Sequence, residues 1–194
     1  MVGALLLLLL LSPLLLPVAL LIRLGSKGPA LFKQSRLGYR GRVFSIYKFR
    51  TMVDGAEGLG SGVFTSRNDP RITRVGHLLR RTSLDELPQL LNIVRGEMSF
   101  IGPRPPVPYH PYPYDAYSAE QKLRFSVRPG ITGYAQVAGR NQLTWDERIR
   151  YDVMYVKNWS LSLDTEILIQ TFLVVGDRRG VFSDRQSDAQ EPGQ

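Results

Sequence analysis

Residues 1–23 read MVGALLLLLLLSPLLLPVALLIR, and this apolar stretch decides the architecture of the chain. It contains 12 leucines and no charged side chain before Arg23. A straight helix over these residues would be about 33 Å long, which is enough to span a bilayer. A cleaved signal peptide is disfavoured, because no basic residue precedes the run and no small-residue cleavage site follows it. The stretch therefore predicts a membrane helix that is retained.

Ser12 and Pro13 interrupt this helix near its middle, and Pro17 follows one turn later. Proline has no N–H, so Pro13 leaves the carbonyl of Leu9 without its helical partner, and Ser12 is placed to bond a freed carbonyl. A sharp bend would leave two arms of about 16 Å, each half the thickness of the hydrocarbon core. That geometry suits a hairpin that enters and leaves by one face. Because prolines are also tolerated in spanning helices, periodicity leaves the re-entrant and spanning alternatives open.

The positive charge of the chain is concentrated directly after the apolar stretch. The formal net charge is +8; residues 23–50 hold eight Lys/Arg and no Asp/Glu, whereas residues 51–194 hold 17 of each sign. Basic residues beside a membrane segment are retained in the cytoplasm and bind the anionic cytoplasmic leaflet. The alternatives are a solvated basic face and a nucleic-acid patch. No nucleic-acid-binding motif accompanies the patch, so we expect no nucleic-acid partner.

The remainder of the chain predicts a small α/β (α+β) domain in which helix predominates. Strand-like alternation over 30–35 and 43–52, on either side of Gly38 and Gly41, is typical of a β-hairpin. Six prolines between Pro103 and Pro113 predict an extended, stiff segment. This segment is interpreted as a wall beside a site, the alternative being a ligand for a proline-binding domain.

Three further helices are predicted from capping and periodicity. Capping-box spacing places a helix start near Ser83, or nearer Asp85 because Pro88 fits only within the first turn. It places another at Thr144, with that helix running to about Asn158. Residues 163–175 are apolar nearly all round but too short to span a membrane, which indicates a helix that is buried or lies in the membrane interface. Residues 183–194 are polar and are predicted to be disordered.

The composition limits the available chemistry to carboxylates and arginines. The chain has no cysteine and only two histidines, His77 and His110. This excludes disulfide scaffolds, thiol nucleophiles and Cys-ligated metal sites, and it makes a His-rich metal site improbable.

Asp85 and Glu86 are the strongest candidates for chemistry. At a helix start, adjacent carboxylates can point to the same open end, which carries partial positive charge and free N–H groups. A carboxylate can act as a covalent nucleophile toward phosphorus, and its attack on a phosphate needs charge neutralisation by Mg²⁺ and arginines. Arg80 precedes the pair, and Arg104 and Arg140 lie in Gly/Pro-rich loops. A simple helix cap is the alternative interpretation, so spacing alone predicts only an anion site at a membrane.

Several long stretches resemble the bacterial sugar transferase family, the small membrane-monotopic phosphoglycosyl transferases. The match covers about residues 5 to 180, with its motifs in the expected order. The main stretches are RRTSLDELPQLLN (80–92), RGEMSFIGPRP (95–105) and VRPGITGYAQVAGRN (127–141), with shorter agreement at 47–52 and 152–158.

The resemblance implies a reaction. A UDP-sugar would donate its sugar-1-phosphate to polyprenol (undecaprenyl) phosphate, with Mg²⁺, as the first membrane step of glycoconjugate or polysaccharide assembly. Asp85 would attack the sugar-linked phosphorus, forming a covalent aspartyl phosphosugar intermediate and releasing UMP. Glu86 would be the second residue of the catalytic pair, and both carboxylates would be tied to Mg²⁺. The family's substrate-binding positions correspond to Arg80, Arg140 and the uridine-side segment Pro103, Arg104 and Pro105.

The resemblance also implies an arrangement at the membrane. Ser12-Pro13 matches the family's helix-breaking pair, which favours the re-entrant hairpin. We therefore expect a re-entrant membrane helix over 1–23, a catalytic domain with interfacial amphipathic helices over 24–182, and a disordered tail over 183–194. The protein would be monotopic on the cytoplasmic face of the bacterial inner membrane, and a homo-oligomer is left open. The alternative function is a non-enzymatic, membrane-tethered basic module that binds anionic lipid or a protein partner.

Overall fold

The computed structural model describes residues 1–59, 65, 69–139 and 142–177. Within those ranges the chain forms six α-helices and four β-strands, together with short 3₁₀ helices. The helices are α1 (Val2–Gly25), α2 (Arg74–Thr82), α3 (Leu90–Val94), α4 (Tyr134–Ala138), α5 (Trp145–Lys157) and α6 (Leu161–Asp177). The strands are β1 (Leu31–Leu37), β2 (Val43–Phe49), β3 (Ser99–Ile101) and β4 (Gly130–Thr132). The predicted mixed α/β fold with a predominance of helix is confirmed.

The predicted hairpin is present as an antiparallel pair of β1 and β2, in which Leu31 lies opposite Phe49. Its tight turn contains Arg40 and Gly41, both with positive φ. A second, parallel pair of β3 and β4 has no counterpart in the sequence analysis, because three-residue strands carry no readable alternation. This short pair holds the loop that follows β3 beside the loop that follows β4.

Helix α1 packs one face along the domain over most of its length. Near its start, Ala4 is buried in a cluster with residues of β2 and α3; near its end, Val18 and Ile22 are buried against Phe49 and Leu79. The buried and half-buried positions recur every three or four residues, which is the helical period. The opposite face exposes nine leucines: Leu5, Leu6, Leu9, Leu10, Leu14, Leu16, Leu20, Leu21 and Leu24.

The helix is continuous through Pro13 and Pro17. The Ser12 hydroxyl donates to the carbonyl oxygen of Leu9 at 2.8 Å, and this is the carbonyl that Pro13 deprives of its helical donor. Ser12 therefore donates to the freed carbonyl, as expected. The re-entrant path through a bilayer stays a prediction.

The prediction of an α-helix that begins near Ser83 or Asp85 is wrong, because the α-helix begins only at Leu90. Helix α2 ends at Thr82, Ser83 takes the left-handed conformation (φ 55°), and residues Leu84–Gln89 form a 3₁₀ helix with no side-chain cap. The physical reason is Pro88, which has no N–H and whose ring would clash with the carbonyl of Leu84 in an α-helix. The apolar stripe continues into α3 only after this turn.

The capping box at Thr144 is confirmed, with the Thr144 hydroxyl and the Glu147 carboxylate each accepting from the other residue's backbone N–H. Helix α6 is attached to the domain by one face, on which Ile167 is buried. Its other face exposes a set of apolar side chains: Leu161, Leu168, Ile169, Phe172 and Leu173. It is therefore not a fully buried helix. The predicted tail (183–194) and the end of the predicted catalytic domain (178–182) lie outside the described residues.

Candidate active site

A cavity of about 660 Å³ opens between the hairpin, the Leu84–Gln89 turn and the helices α4 to α6. This volume is typical of a small-molecule site. Asp85 and Glu86 line the cavity. The same wall carries seven basic side chains: Arg36, Lys48, Arg50, Arg80, Arg104, Arg124 and Arg148. The lining also holds the carboxylates of Asp54, Glu57 and Asp152, so its seven basic side chains exceed its five acidic ones, which favours an anionic ligand.

The backbone at Ser83 places the two adjacent carboxylates at the cavity. Its left-handed conformation ends α2 and turns the chain directly into the 3₁₀ helix, where the Glu86 N–H donates to the Ser83 carbonyl at 3.2 Å. A non-glycine residue in this conformation costs of order 1 kcal/mol, and such strain concentrates at functional sites. Asp85 and Glu86 both line the cavity, and neither caps a helix, so the alternative interpretation as a simple helix cap is wrong.

Glu86 is held by two cations. Its Oε1 accepts from Lys48 Nζ at 2.7 Å and from an Arg104 guanidinium nitrogen at 2.9 Å. Burial would raise the pKa of the Glu86 carboxyl, but Arg104 and Lys48 outweigh that effect and hold the pKa well below its usual range. Glu86 is therefore a permanent anion at neutral pH.

Asp85 has a different environment from its neighbour. Among the described residues its carboxylate accepts no hydrogen bond and makes no ion pair. Burial and the adjacent Glu86 charge raise its pKa to about 6, against the opposing fields of Lys48, Arg80 and Arg104. At neutral pH this leaves an ionised carboxylate at the cavity with its oxygen lone pairs uncommitted.

Arg80 reaches the cavity from the end of α2 and is oriented by Thr51, whose hydroxyl accepts from Arg80 Nε at 2.8 Å. The helix approaches the Thr51 backbone closely at Gly76. A Cβ on Gly76 would lie 1.9 Å from the Thr51 carbonyl oxygen, so only glycine allows this contact. The close approach fixes the position of Arg80 relative to the hairpin.

The segment that contains Arg104 is held through its carbonyl groups. Pro103, Pro105 and Pro106 have no N–H, so backbone hydrogen bonds can restrain them only as acceptors. Four consecutive carbonyl oxygens accept hydrogen bonds from three other parts of the chain, at 2.9 to 3.0 Å. Pro103 accepts from Gly130 N–H, Arg104 from Arg124, Pro105 from Arg36, and Pro106 from Leu37 N–H. The predicted stiff, extended segment is present over 103–106 only, because the chain turns between Val107 and His110, whose N–H donates to the Val107 carbonyl at 3.2 Å. Arg104 faces the cavity, whereas Pro103 and Pro105 are buried behind it.

Arg124 is itself anchored by Asp152 of α5. The two side chains form an ion pair at 2.6 Å, and each is only 1% exposed. Burial raises the pKa of the Asp152 carboxyl to about 6 in spite of Arg124. Within the described residues, Asp152 Oδ1 and Arg124 Nε have no hydrogen-bond partner.

The structure therefore brings Asp85, Glu86, Arg80 and Arg104 to one cavity, while their roles in catalysis and substrate binding stay predictions. Arg140 lies outside the described residues. Ser12 and Pro13 are on α1 and do not line the cavity.

Sequence reasoning missed Lys48, Arg36, Thr51, Arg124 and Asp152. Two of them carried a readable signal. Lys48 follows Phe44 and Ile46 on the inward-facing alternation of β2, where a charge needs a partner. Asp152 interrupts the apolar stripe of α5 beside Ile149 and Val153.

The basic stretch 23–50 is divided by the fold. Arg36, Lys48 and Arg50 line the cavity, so they do not belong to a solvated face. The remaining five are exposed: Arg23, Lys27, Lys33, Arg40 and Arg42.

No cluster of three or more histidine, aspartate or glutamate side chains that could hold a metal exists among the described residues. A smaller donor set is present. Asp85 has both carboxylate oxygens free of described partners, and the described contacts of Glu86 involve Oε1 alone. Since Mg²⁺ is commonly bound by one or two carboxylates together with substrate phosphates, this pair is compatible with Mg²⁺.

Comparison with known proteins gives a consistent result. Residues 1–178 match the family described as bacterial sugar transferase. The chain is 46% identical over 175 residues to the UDP-glucose:undecaprenyl-phosphate glucose-1-phosphate transferase of Caulobacter vibrioides, covering 88% of this chain and 65% of that protein. It is 42% identical over 193 residues to the exopolysaccharide production protein ExoY of Sinorhizobium fredii, covering 92% and 84% of the two chains.

A third relative is longer. The galactosyl transferase CpsE of Streptococcus agalactiae is 43% identical over 159 residues, which is 76% of this chain and 35% of CpsE. This chain thus spans about a third of that protein. The match over residues 1–178 establishes that the chain belongs to the bacterial sugar transferase family.

Proposed function

We propose that this protein transfers a sugar-1-phosphate from a UDP-sugar to polyprenol phosphate, with Asp85 as a covalent nucleophile. The observation that carries the proposal is the unpaired Asp85 carboxylate at a cavity lined by seven basic side chains. The Caulobacter relative is named for UDP-glucose and undecaprenyl phosphate, which supports this choice of substrates.

In the first step, a carboxylate oxygen of Asp85 attacks the phosphorus that bears the sugar. A bond forms between that oxygen and phosphorus, while the bond from phosphorus to the bridging oxygen of the diphosphate breaks. UMP leaves with the bridging oxygen and the electron pair, and the sugar phosphate stays on Asp85 as an acyl phosphate. In the second step, a phosphate oxygen of polyprenol phosphate attacks the same phosphorus. The Asp85 carboxylate leaves, and polyprenol diphosphate sugar is formed.

The basic residues of the cavity would lower the barrier to both steps. Each step brings an anion to an already anionic phosphate, and guanidinium groups bind phosphate oxygens through paired donors. Arg80 and Arg104 lie at the cavity beside Asp85 for this purpose. Glu86 stays ionised and fixes Lys48 and Arg104 at the site.

Mg²⁺ is the expected cofactor, held by Asp85 and Glu86 together with the diphosphate oxygens of the substrate. When bound, it would neutralise charge on the diphosphate and the leaving UMP. The protein's own part is to keep Glu86 ionised and to keep the Asp85 oxygens free of competing hydrogen bonds.

The apolar surfaces support a monotopic placement on the cytoplasmic face of the inner membrane. Ala4 and Ile22 are about 27 Å apart along α1, yet both are buried against the same domain. A spanning α1 would carry Ala4 to the far side of the bilayer, away from that domain. The nine exposed leucines of α1 and the exposed apolar face of α6 are free to enter lipid, while exposed basic residues after α1 would bind anionic headgroups.

The test is UMP release by the purified protein in detergent or nanodiscs, with polyprenol phosphate and a panel of UDP-sugars. We expect UMP with at least one sugar, and loss of UMP when EDTA removes divalent cations, with recovery on adding Mg²⁺. A non-enzymatic membrane module would bind vesicles but release no UMP from any sugar. Absence of UMP across the panel would contradict the proposal.

A further inference from the structure

The position of Arg104 depends on a support that lies deeper in the protein. Its guanidinium group pairs with Glu86 at 2.9 Å, and its own backbone carbonyl accepts from Arg124 at 3.0 Å. The chain on either side of it is Pro103 and Pro105-Pro106, which cannot donate backbone hydrogen bonds. The hydrogen bonds to the carbonyl groups therefore fix the position of the Arg104 backbone, from which its side chain extends.

The donor to that carbonyl comes from a buried ion pair. One guanidinium nitrogen of Arg124 contacts both the Arg104 carbonyl oxygen and Asp152 Oδ2, at 3.0 and 2.6 Å. Arg124 lies in the 3₁₀ helix Gln121–Phe125 and Asp152 in α5, so the pair joins α5 to the segment that bears Arg104. A continuous series of contacts thus runs from Asp152 through Arg124 and Arg104 to Glu86.

We propose that the Arg124–Asp152 pair is a positioning device that sets Arg104, and through it Glu86, for phosphoryl transfer. The inference rests on the proposed function, because it assigns to the pair an effect on that reaction. Arg124 and Asp152 both border the cavity, but each side chain is only 1% exposed, so we assign them an action through the Arg104 backbone and not contact with substrate.

Stability alone does not require the pair, although Arg124 also donates to the Tyr117 hydroxyl at 3.4 Å and lies over the Phe125 ring. Desolvating two charges costs several kcal/mol per ion, and replacing a buried pair with apolar residues of similar volume is often neutral or stabilising. This pair also leaves Asp152 Oδ1 and Arg124 Nε without partners among the described residues, which adds to the cost. The ion pair supplies a fixed hydrogen-bond donor to the Arg104 carbonyl, which an apolar pair could not supply.

The test replaces both partners together, Arg124→Met with Asp152→Leu, so that no charge is left buried and unpaired. We expect a folded protein whose melting temperature is close to that of the wild type, and a kcat/KM for UMP release that is about 10- to 100-fold lower. A folded variant with the wild-type rate would overturn the proposal. A variant that does not fold would assign the pair to structure and would overturn it as well.

A double-mutant cycle with Arg104→Lys, which keeps the charge and loses the planar fork, then tests whether the pair acts through Arg104. We expect the loss caused by the paired replacement to be much smaller in the Arg104→Lys background. If the fold losses in kcat/KM caused by the two changes simply multiply, to within about twofold, the pair acts independently of Arg104 and the proposal is overturned.

The matched control is a second buried ion pair, Asp69–Arg71, at 2.6 Å, whose arginine donates to the carbonyls of Ala56 and Leu59. Asp69→Leu with Arg71→Met should change kcat/KM by the same factor in the wild-type and in the Arg104→Lys background. Failure of the proposed function itself is seen separately, as UMP release that persists in Asp85→Asn. The two ideas are thereby distinguished in a single assay.

Discussion

Asp85 and Glu86 are adjacent in the chain, and their carboxyl groups have pKa values displaced in opposite directions. Burial and the neighbouring Glu86 charge raise the pKa of Asp85 to about 6, whereas Arg104 and Lys48 overcome the effect of burial on Glu86 and lower its pKa. Opposite displacements in a pair of titratable groups are how active sites divide chemical roles. Here they separate an uncommitted carboxylate from one that is permanently ionised and committed to cations.

The Asp85→Asn variant should lose transfer activity and gain stability. The folded pKa of Asp85, about 6, is above its ordinary value of 3.8. The folded state therefore binds a proton more tightly than the unfolded state, and stability falls as pH rises from about 4 through 6. Removing the charge should raise the free energy of unfolding by about 1–3 kcal/mol at pH 8 and leave it little changed at pH 4.

Chemical denaturation at the two pH values measures this difference. Asp115→Asn is the control, since Asp115 is exposed and does not line the cavity; it should change neither stability nor UMP release. An Asp85→Asn protein that is less stable than the wild type at pH 8 would contradict the burial of an unpaired charge at this position.

Lys48→Met should slow UMP release by about 10- to 100-fold, because Glu86 loses one of its two cations and Arg104 has to satisfy it alone. The comparison is Lys33→Met on the neighbouring strand. Lys33 is exposed and is not part of the cavity wall, so its replacement should leave the rate near the wild-type value. Equal losses in the two variants would show that a general change of charge, not the Glu86 contact, is responsible.

The pH dependence of kcat/KM should rise through a midpoint near 6, because attack requires the ionised form of Asp85 in the free enzyme. In Glu86→Gln the midpoint should move to lower pH, since the neighbouring negative charge that raises the pKa of Asp85 is gone. His110→Gln separates this from the titration of the histidine at the cavity and should keep the midpoint near 6. If the midpoint near 6 is lost or displaced in His110→Gln, the titrating group is the imidazole and not Asp85.

A single cysteine at position 2 tests the topology, because the chain has no native cysteine. If both ends of α1 stay with the domain, an impermeant maleimide should label Val2→Cys from the same side of the membrane as Arg42→Cys, which lies in the exposed hairpin turn. Labelling of the two positions from opposite sides would show that α1 spans the bilayer.

Local patterns were sufficient for much of the fold and part of the site. The leucine run, the hairpin alternation and the Thr144 capping box each depend on interactions within a few residues, and the structure contains all three. The Ser83 prediction failed for a local reason too, since Pro88 excludes the α-helix that the capping-box spacing suggested.

The remaining site residues could not be read from spacing, because their roles depend on contacts between distant segments. Thr51 orients Arg80 only because Gly76 lets α2 approach the hairpin. Asp152 is 28 residues from the arginine it anchors. Sequence can mark such positions, as Asp152 does by interrupting an apolar stripe, but only the fold gives them their partners.

The central claim is a bond between Asp85 and phosphorus, and intact-mass spectrometry tests it most directly. The protein is incubated with a UDP-sugar that supports turnover and with Mg²⁺, in the absence of polyprenol phosphate, and is then digested to locate any adduct. We predict a mass increase equal to one phosphosugar, located on the peptide that contains Asp85, accompanied by UMP and absent from Asp85→Asn. UMP formation that requires polyprenol phosphate and leaves no adduct on that peptide would contradict the account.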